Sequence, residues 1–295
     1  MLKGRYLAIL AFMAVCVHGA PVTMTAAQKE SAVFLDALSV PSPGEVFSAL
    51  NRSCRPNWAT LVTTATAPVT TERAQLALAV GVLAADGYIA VEAKEGQQVK
   101  NVGREIMNVA KSLGVSQSLM GRGNSLIEFA DNNDWDALAD ELEATENEVK
   151  STMVGQKDRD LVTLTSSAAW LRGLEVATGV VLGSEDVRGA SPLKQPELAR
   201  RLYSQLELLP DRLKGSHLVS GVGQVLEEVA TLLETTGLSK DQERENLRRI
   251  HEKAAGIVQS IMASAGSQSS PTPAITPEAS KEKPPASAST PVSKP

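Results

Sequence analysis

Three charged residues stand where the sequence otherwise holds almost nothing but apolar ones. Asp86 lies in LAADGYIAVEA, residues 83–93, and it is the only charge between Arg73 and Glu92. Arg172 and Glu175 are the only charges between Asp160 and Glu185, inside SSAAWLRGLEVATGVVLG, residues 166–183. A carboxylate carried into an apolar interior must be paired or take up a proton. Its strongest partner is a guanidinium, whose planar fork matches the two carboxylate oxygens. Asp86 is therefore expected to meet Arg172, with Arg104 of the intervening helix as the other candidate. Arg172 and Glu175 are three residues apart and can pair along one helix face. Tyr88 and Trp170 would flank the group. A set made of Asp86, Tyr88, Arg104, Trp170, Arg172 and Glu175 has two physical uses. It can line a ligand pocket between helices, or it can be a structural network that fixes helix register. A third use, acid–base hydrolysis by Asp86 and Glu175, requires both carboxylates to face one cleft.

Other chemistry has little material. The chain holds no HExxH, GxSxG, Walker A loop or paired CxxC. Gly121-Arg122-Gly123 and Gly221-Val222-Gly223 start phosphate-loop patterns but lack the third glycine and a preceding strand. Ser191-Pro192-Leu193-Lys194 has SxxK spacing, with a proline where an active-site helix would run. The three histidines, His18, His217 and His251, stand far apart. No catalytic residue, metal site or cofactor is expected from these patterns. Aromatic residues make up only 3% of the chain, too few to wall a sugar cleft.

The segments that must position these residues read as helices. Ser42-Pro43-Gly44-Glu45 is a capping box with proline at the first helical position. Helical spacing then predicts elements over 57–64, 71–94, 97–113 (closed by Gly114), 116–131, 134–154, 157–183, 195–208, 218–235 and 239–264, the last opened by Ser239 and Gln242. In 134–154 the stripe Trp135, Leu138, Leu142, Thr145, Val149 and Met153 should face the core. Asp140, Glu141, Glu143, Glu146, Glu148 and Lys150 should form a solvated face. The helices bearing Asp86 and Arg172 are apolar all round and should be central. Gly81, Ala84, Ala85, Gly87, Gly173, Gly179 and Gly183 would let neighbours approach closely. Asn132-Asn133-Asp134-Trp135 looks like the turn of one tetratricopeptide helix pair, but no second copy follows. No strand or hairpin signal appears. The expected fold is all-α: one domain of about nine helices over residues 42–264.

The ends differ in kind. Lys3 and Arg5 precede an uncharged run of 12 residues, Tyr6–Val17, and small residues follow. This is the pattern of a secretory signal peptide over residues 1–20, with cleavage between Gly19 and Ala27. A bilayer span needs about 20 apolar residues, so this run does not qualify. In the 71–94 helix, Asp86 at the centre of a span would cost roughly 3 kcal/mol. No transmembrane span is expected in the mature chain. Residues 21–41 read as a linker with a possible short helix. Residues 265–295, rich in Pro, Ser, Thr, Ala and Lys, should be a disordered tail. Loss of the leader removes Cys16 and leaves Cys54 alone, so an exported chain without an intramolecular disulfide must rely on its core. The whole chain carries a net charge of −5 without a basic stripe, which speaks against nucleic acid as a partner.

The phrases AVGVLAADGYIAVEA, NVGREIMNVAKSLGV, DWDALADELEATENEV and AAWLRGLEVATGV, spread over residues 79–180, resemble a group of uncharacterised exported bacterial all-helical proteins. That resemblance implies an exported helical domain and no particular activity. The leading expectation is a periplasmic or secreted non-enzymatic protein that binds a protein partner or scaffolds an envelope assembly. The alternatives are a small-molecule binder using the polar inter-helix pocket and the acid–base hydrolase.

Overall fold

The computed structural model describes residues 40–64, 66–184 and 193–264. The expected leader, most of the linker, the loop 185–192 and the tail lie outside these residues. Among those described, the chain forms ten α-helices and no strand, as an all-α fold requires. They are α1 (Pro43–Ser53), α2 (Arg73–Glu92), α3 (Gly96–Leu113), α4 (Ser116–Asn132), α5 (Trp135–Gly155), α6 (Arg159–Gly183), α7 (Pro196–Glu207), α8 (Asp211–Lys214), α9 (His217–Glu234) and α10 (Lys240–Met262).

The local signals that end helices act as their chemistry dictates. Ser42 Oγ accepts from Glu45 N at 3.3 Å while Glu45 Oε2 accepts from Ser42 N at 2.8 Å, closing the capping box on α1. Ser239 and Gln242 repeat the arrangement on α10. Gly114 adopts φ +80° at the end of α3, a conformation that costs a side-chain-bearing residue steric strain. Two elements differ from expectation. The helix predicted over 57–64 is only a 3₁₀ turn, Trp58–Thr60. Val62, Thr63 and Thr64 are β-branched, lose side-chain freedom in a helix, and do not extend the turn. The one-turn α8 has no apolar period of its own, so the sequence did not announce it.

At the centre, α2 and α6 lie side by side. Successive contacts pair Ala77 with Thr165, Gly81 with Ala168 and Ala169, and Asp86 with Arg172, so the two helices run in the same direction. Both are buried on every side over most of their length. α2 has the length and apolarity of a membrane span, but 94% of that window is covered by the rest of the protein. α3 and α5 pack against α2, and α4 packs on both α3 and α5. α10 packs on α6, α9 on α10, and α7 on α9. α1 caps the central pair, and its Phe47 ring meets Trp58 at 5.0 Å between centroids.

The close approach of α2 to α6 rests on Gly81. A Cβ built there would lie 2.1 Å from the Thr165 carbonyl oxygen and 2.8 Å from Ala169 N. Thr165 Oγ1 donates to the Ala77 carbonyl at 2.9 Å, so the buried hydroxyl is satisfied across the same seam. The other glycines expected to serve close packing do not all do so. Gly173 and Gly183 have nothing within 4 Å of where a Cβ would stand, whereas Gly87 faces Leu142 and Gly179 faces His251.

These two kinds of glycine give opposite expectations. Gly81→Ala forces the central helices apart and should lower stability by ~1–3 kcal/mol or more. Gly173→Ala, in the same helix pair but in open space, should raise it by about 0.5–1 kcal/mol through reduced backbone freedom in the unfolded chain. Urea denaturation of both variants measures the contrast.

Candidate functional site

α2 carries Asp86 thirteen residues beyond its start, and α6 brings Arg172 to the same level. Arg172 Nε donates to Asp86 Oδ1 at 2.9 Å, and Nη2 lies 2.8 Å from the same oxygen. Arg172 Nη1 stands 2.9 Å from Glu175 Oε2, so one guanidinium bridges two carboxylates. Asp86 is 5% exposed and Arg172 8%, while Glu175 is partly buried. Burial pushes the Asp86 carboxyl above the usual carboxylate range, and the charge of Arg172 opposes that push. α10 closes the outer side, where His251 Nδ1 lies 2.9 Å from the Glu175 carbonyl oxygen and 3.3 Å from Thr178 Oγ1.

The other members of the expected set go elsewhere. Arg104 is exposed on α3, with Asn101 Oδ1 at 3.4 Å, and does not reach Asp86. Asp86 thus takes its guanidinium from α6 and not from α3. Trp170 is buried in the core. Tyr88 lies under the start of α1, where a Cβ on Gly44 would come within 2.7 Å of its ring. Its hydroxyl is buried, and the Ser42 side chain is the hydrogen-bonding group that acts on it. Burial raises the Tyr88 phenol well above its ordinary value, and the negative charges of Glu146 and Glu143 add to the rise. The six residues therefore divide into an ion-paired triad, Asp86–Arg172–Glu175, and three separate positions. The triad's aspartate and arginine are buried, and Asp86 and Glu175 meet the same guanidinium.

Two spaces that could hold a ligand border α5. The larger is a cleft of about 650 Å³ among α2, α3, α4 and α5. Val80 and Ala84 contribute from α2, Val99 and Ile106 from α3, Leu126 from α4, and Leu142 from α5. Its mouth is edged by Met120, which is 68% exposed, and by Ile127 and Arg104. Lys100, also at this edge, is held by Asp131 at 2.6 Å. A second space of about 330 Å³ lies between α5 and the start of α1, and it is polar: Ser42, Glu45, Glu143, Glu146, Asn147 and Lys150 surround it.

Glu146 is part of both walls. Asp140 and Glu143 are exposed, as expected of a solvated acidic face on α5, but Glu146 and Lys150 are not. The Glu146 and Lys150 side chains are 5% and 7% exposed and pair at 2.7 Å. Glu146 Oε2 is buried with no hydrogen-bond partner among the described residues. The sequence held only a faint signal here. A Glu four residues before a Lys is a stabilising helix pair that usually sits on a surface. Glu146 borders the buried stripe at Leu142, Thr145 and Val149, and neighbouring elements cover it. Among the described residues, no group of three or more His, Cys, Asp or Glu is arranged to hold a metal ion.

The triad predicts an asymmetric response. Arg172→Ala leaves Asp86 buried with no cation and should cost about 3–5 kcal/mol. Asp86→Ala should cost less, because Arg172 keeps Glu175. The double variant should show a coupling of ~0.5–3 kcal/mol, read from a denaturation cycle. A pH series adds a sign. Between the ordinary value of 3.8 and the higher folded value, the folded state keeps a proton that the unfolded state has released. Its stabilising contribution is complete below the ordinary value of 3.8 and falls away as pH rises through the higher folded value. The stability of the native chain relative to Asp86→Asn should accordingly improve as pH falls from neutral toward that value. No family model, curated protein or solved structure matches the chain.

Proposed function

We propose that this is an exported, non-catalytic binding protein whose ligand site is the apolar cleft among α2, α3, α4 and α5. One observation carries the proposal: a preformed space of about 650 Å³, walled by aliphatic side chains from four helices, stays open beside a tightly closed helix pair. That volume falls within the range of small-molecule sites, about 300–1,000 Å³. The lining suits an uncharged hydrocarbon or ring system, because transfer of apolar surface from water supplies about 25 cal/mol per Å² without directional contacts. Methionines at 107 and 120 suit such a site, since a flexible thioether adapts to ligand shape. The buried triad supports the proposal from below by holding the floor helix, α2, in place.

A protein partner is the second reading, and one observation favours it. Met120 and Ile127 are exposed together at the cleft mouth on α4, where an amphipathic helix could lay its apolar face. Export is proposed from the basic, then apolar, then small-residue order of the first 20 residues.

The proposal is checked with N-phenyl-1-naphthylamine, a neutral fluorophore that brightens in apolar surroundings. It should bind the mature protein saturably at one site. Gly103 lines the cleft and has open space where a side chain would go. Gly103→Phe should therefore fill the cleft and weaken dye binding by about ten-fold, equivalent to ~1.4 kcal/mol. Unsaturable binding, or equal binding by the variant with its melting transition intact, would remove the cleft as the site.

A further inference from the structure

We infer that the ligand of the apolar cleft is an amphiphilic anion, an alkyl chain ending in a carboxylate, and that Arg104 holds its head group at the mouth. The inference rests on the cleft being the ligand site and adds the chemistry of the ligand. It begins from the two rows that α3 turns toward the space. Val99 and Ile106 form the inner row and are buried. Lys100 and Arg104, one turn apart, form the outer row at the mouth. The cleft is therefore apolar at depth and cationic at its edge.

The charges decide the sign of the head group. Among the described residues, three ionisable side chains line the cleft: Lys100, Arg104 and Glu146. Lys100 is held by Asp131 at 2.6 Å, and Glu146, buried in the wall, is held by Lys150 at 2.7 Å. Arg104 meets no carboxylate among the described residues. Its contact is Asn101 Oδ1 at 3.4 Å, longer than an ordinary N–H···O bond. The exposed guanidinium thus keeps its charge and its planar fork of N–H donors for an incoming carboxylate.

α4 supplies the other edge. Lys100 reaches Asp131, and Met107 Cε lies 3.8 Å from where a Cβ on Gly123 would stand, so α3 and α4 run antiparallel. Arg104, between Lys100 and Met107, stands level with the turn of α4 that carries Asn124 and Ile127. Asn124 is exposed at the mouth and offers amide N–H donors to the same head group. Met120 and Ile127 extend the apolar surface outward for the first methylenes. A cationic head would meet Arg104 as a like charge, and an alcohol would leave the fork unused. From Gln97 to Met107 the α3 lining spans about 15 Å, enough for an alkyl chain of medium length.

The experiment lets decanoate, decanol and decylammonium, each below its micelle concentration, compete with N-phenyl-1-naphthylamine for the mature chain at neutral pH. Calorimetry follows decanoate directly. Decanoate should displace the dye at a concentration about five-fold lower than decanol, as one well-placed charge pair at a surface predicts, and decylammonium should be the weakest. Arg104→Gln should bring decanoate level with decanol. Arg104→Glu should reverse the order, so that decylammonium binds more tightly than decanoate. Arg104 is exposed, so both variants should keep the parent melting transition. Gly103→Phe should weaken all three amphiphiles, which ties the preference to the cleft. Saturable dye binding with equal displacement by decanoate and decanol would overturn the anionic head group and leave the cleft as a site for neutral ligands. A decanoate preference unchanged in both Arg104 variants would overturn it as well. Neither saturable dye binding nor calorimetric binding of decanoate would remove the cleft and this inference together.

Discussion

The contact between α2 and α6 is the constraint on which the rest of the molecule depends. Gly81 allows the backbones to meet at the Thr165 carbonyl, and five residues further along Asp86 meets Arg172. The two features support each other. Close backbone approach brings the side chains near enough to pair in a dry interior, and the pair fixes which turn of α6 faces which turn of α2. A slip of one turn, about 5.4 Å, would leave Asp86 buried without its cation while Arg172 kept only Glu175. Replacement of such a pair by hydrocarbon is often neutral or stabilising, so its contribution is specificity of register more than strength.

Once this pair is fixed, each flanking layer is placed by what remains exposed on it. α10 docks on α6 through His251 and through Arg244, which donates to the carbonyls of Leu182 and Ser184 at the end of α6. On the other side, α3 and α5 pack on α2 while α4 spans them, and the volume beneath α4 is not completely filled. The open cleft is thus a consequence of how three helices cover one face of α2. The polar pocket has a different origin. It lies where α1 crosses the start of the bundle, and capping residues of one helix come to face acidic residues of another.

Much of the fold could be read from residue order because the relevant forces are local. Proline and serine at the start of α1, Gly114 after α3 and Ser239 before α10 act on their own backbone within one turn. The all-apolar character of α2 and α6 placed them at the centre without knowledge of their neighbours. Asp86 and Arg172 could be matched because each was the exception in such a helix and each needed a partner of opposite charge. Arg104 could not be excluded beforehand, since its distance from Asp86 depends on which side of α2 receives α3. Gly173 and Gly81 look alike in sequence, yet only one meets a backbone.

The candidate binding sites were not legible in the same way. Glu146 and Lys150 have the spacing of an exposed helix pair, and only the packing of α5 against α2 and the approach of α1 bury them. Arg104 and Asn124 are 20 positions apart in the chain, and nothing in residue type links them. What the sequence by itself determined is the helical class, the caps, the central pair of helices and the charges that must meet between them, because periodicity and the cost of a buried charge act through neighbours along the chain. The tertiary structure alone decided where space remains and which polar atoms go unsatisfied, because cavities are differences between surfaces brought together from distant segments.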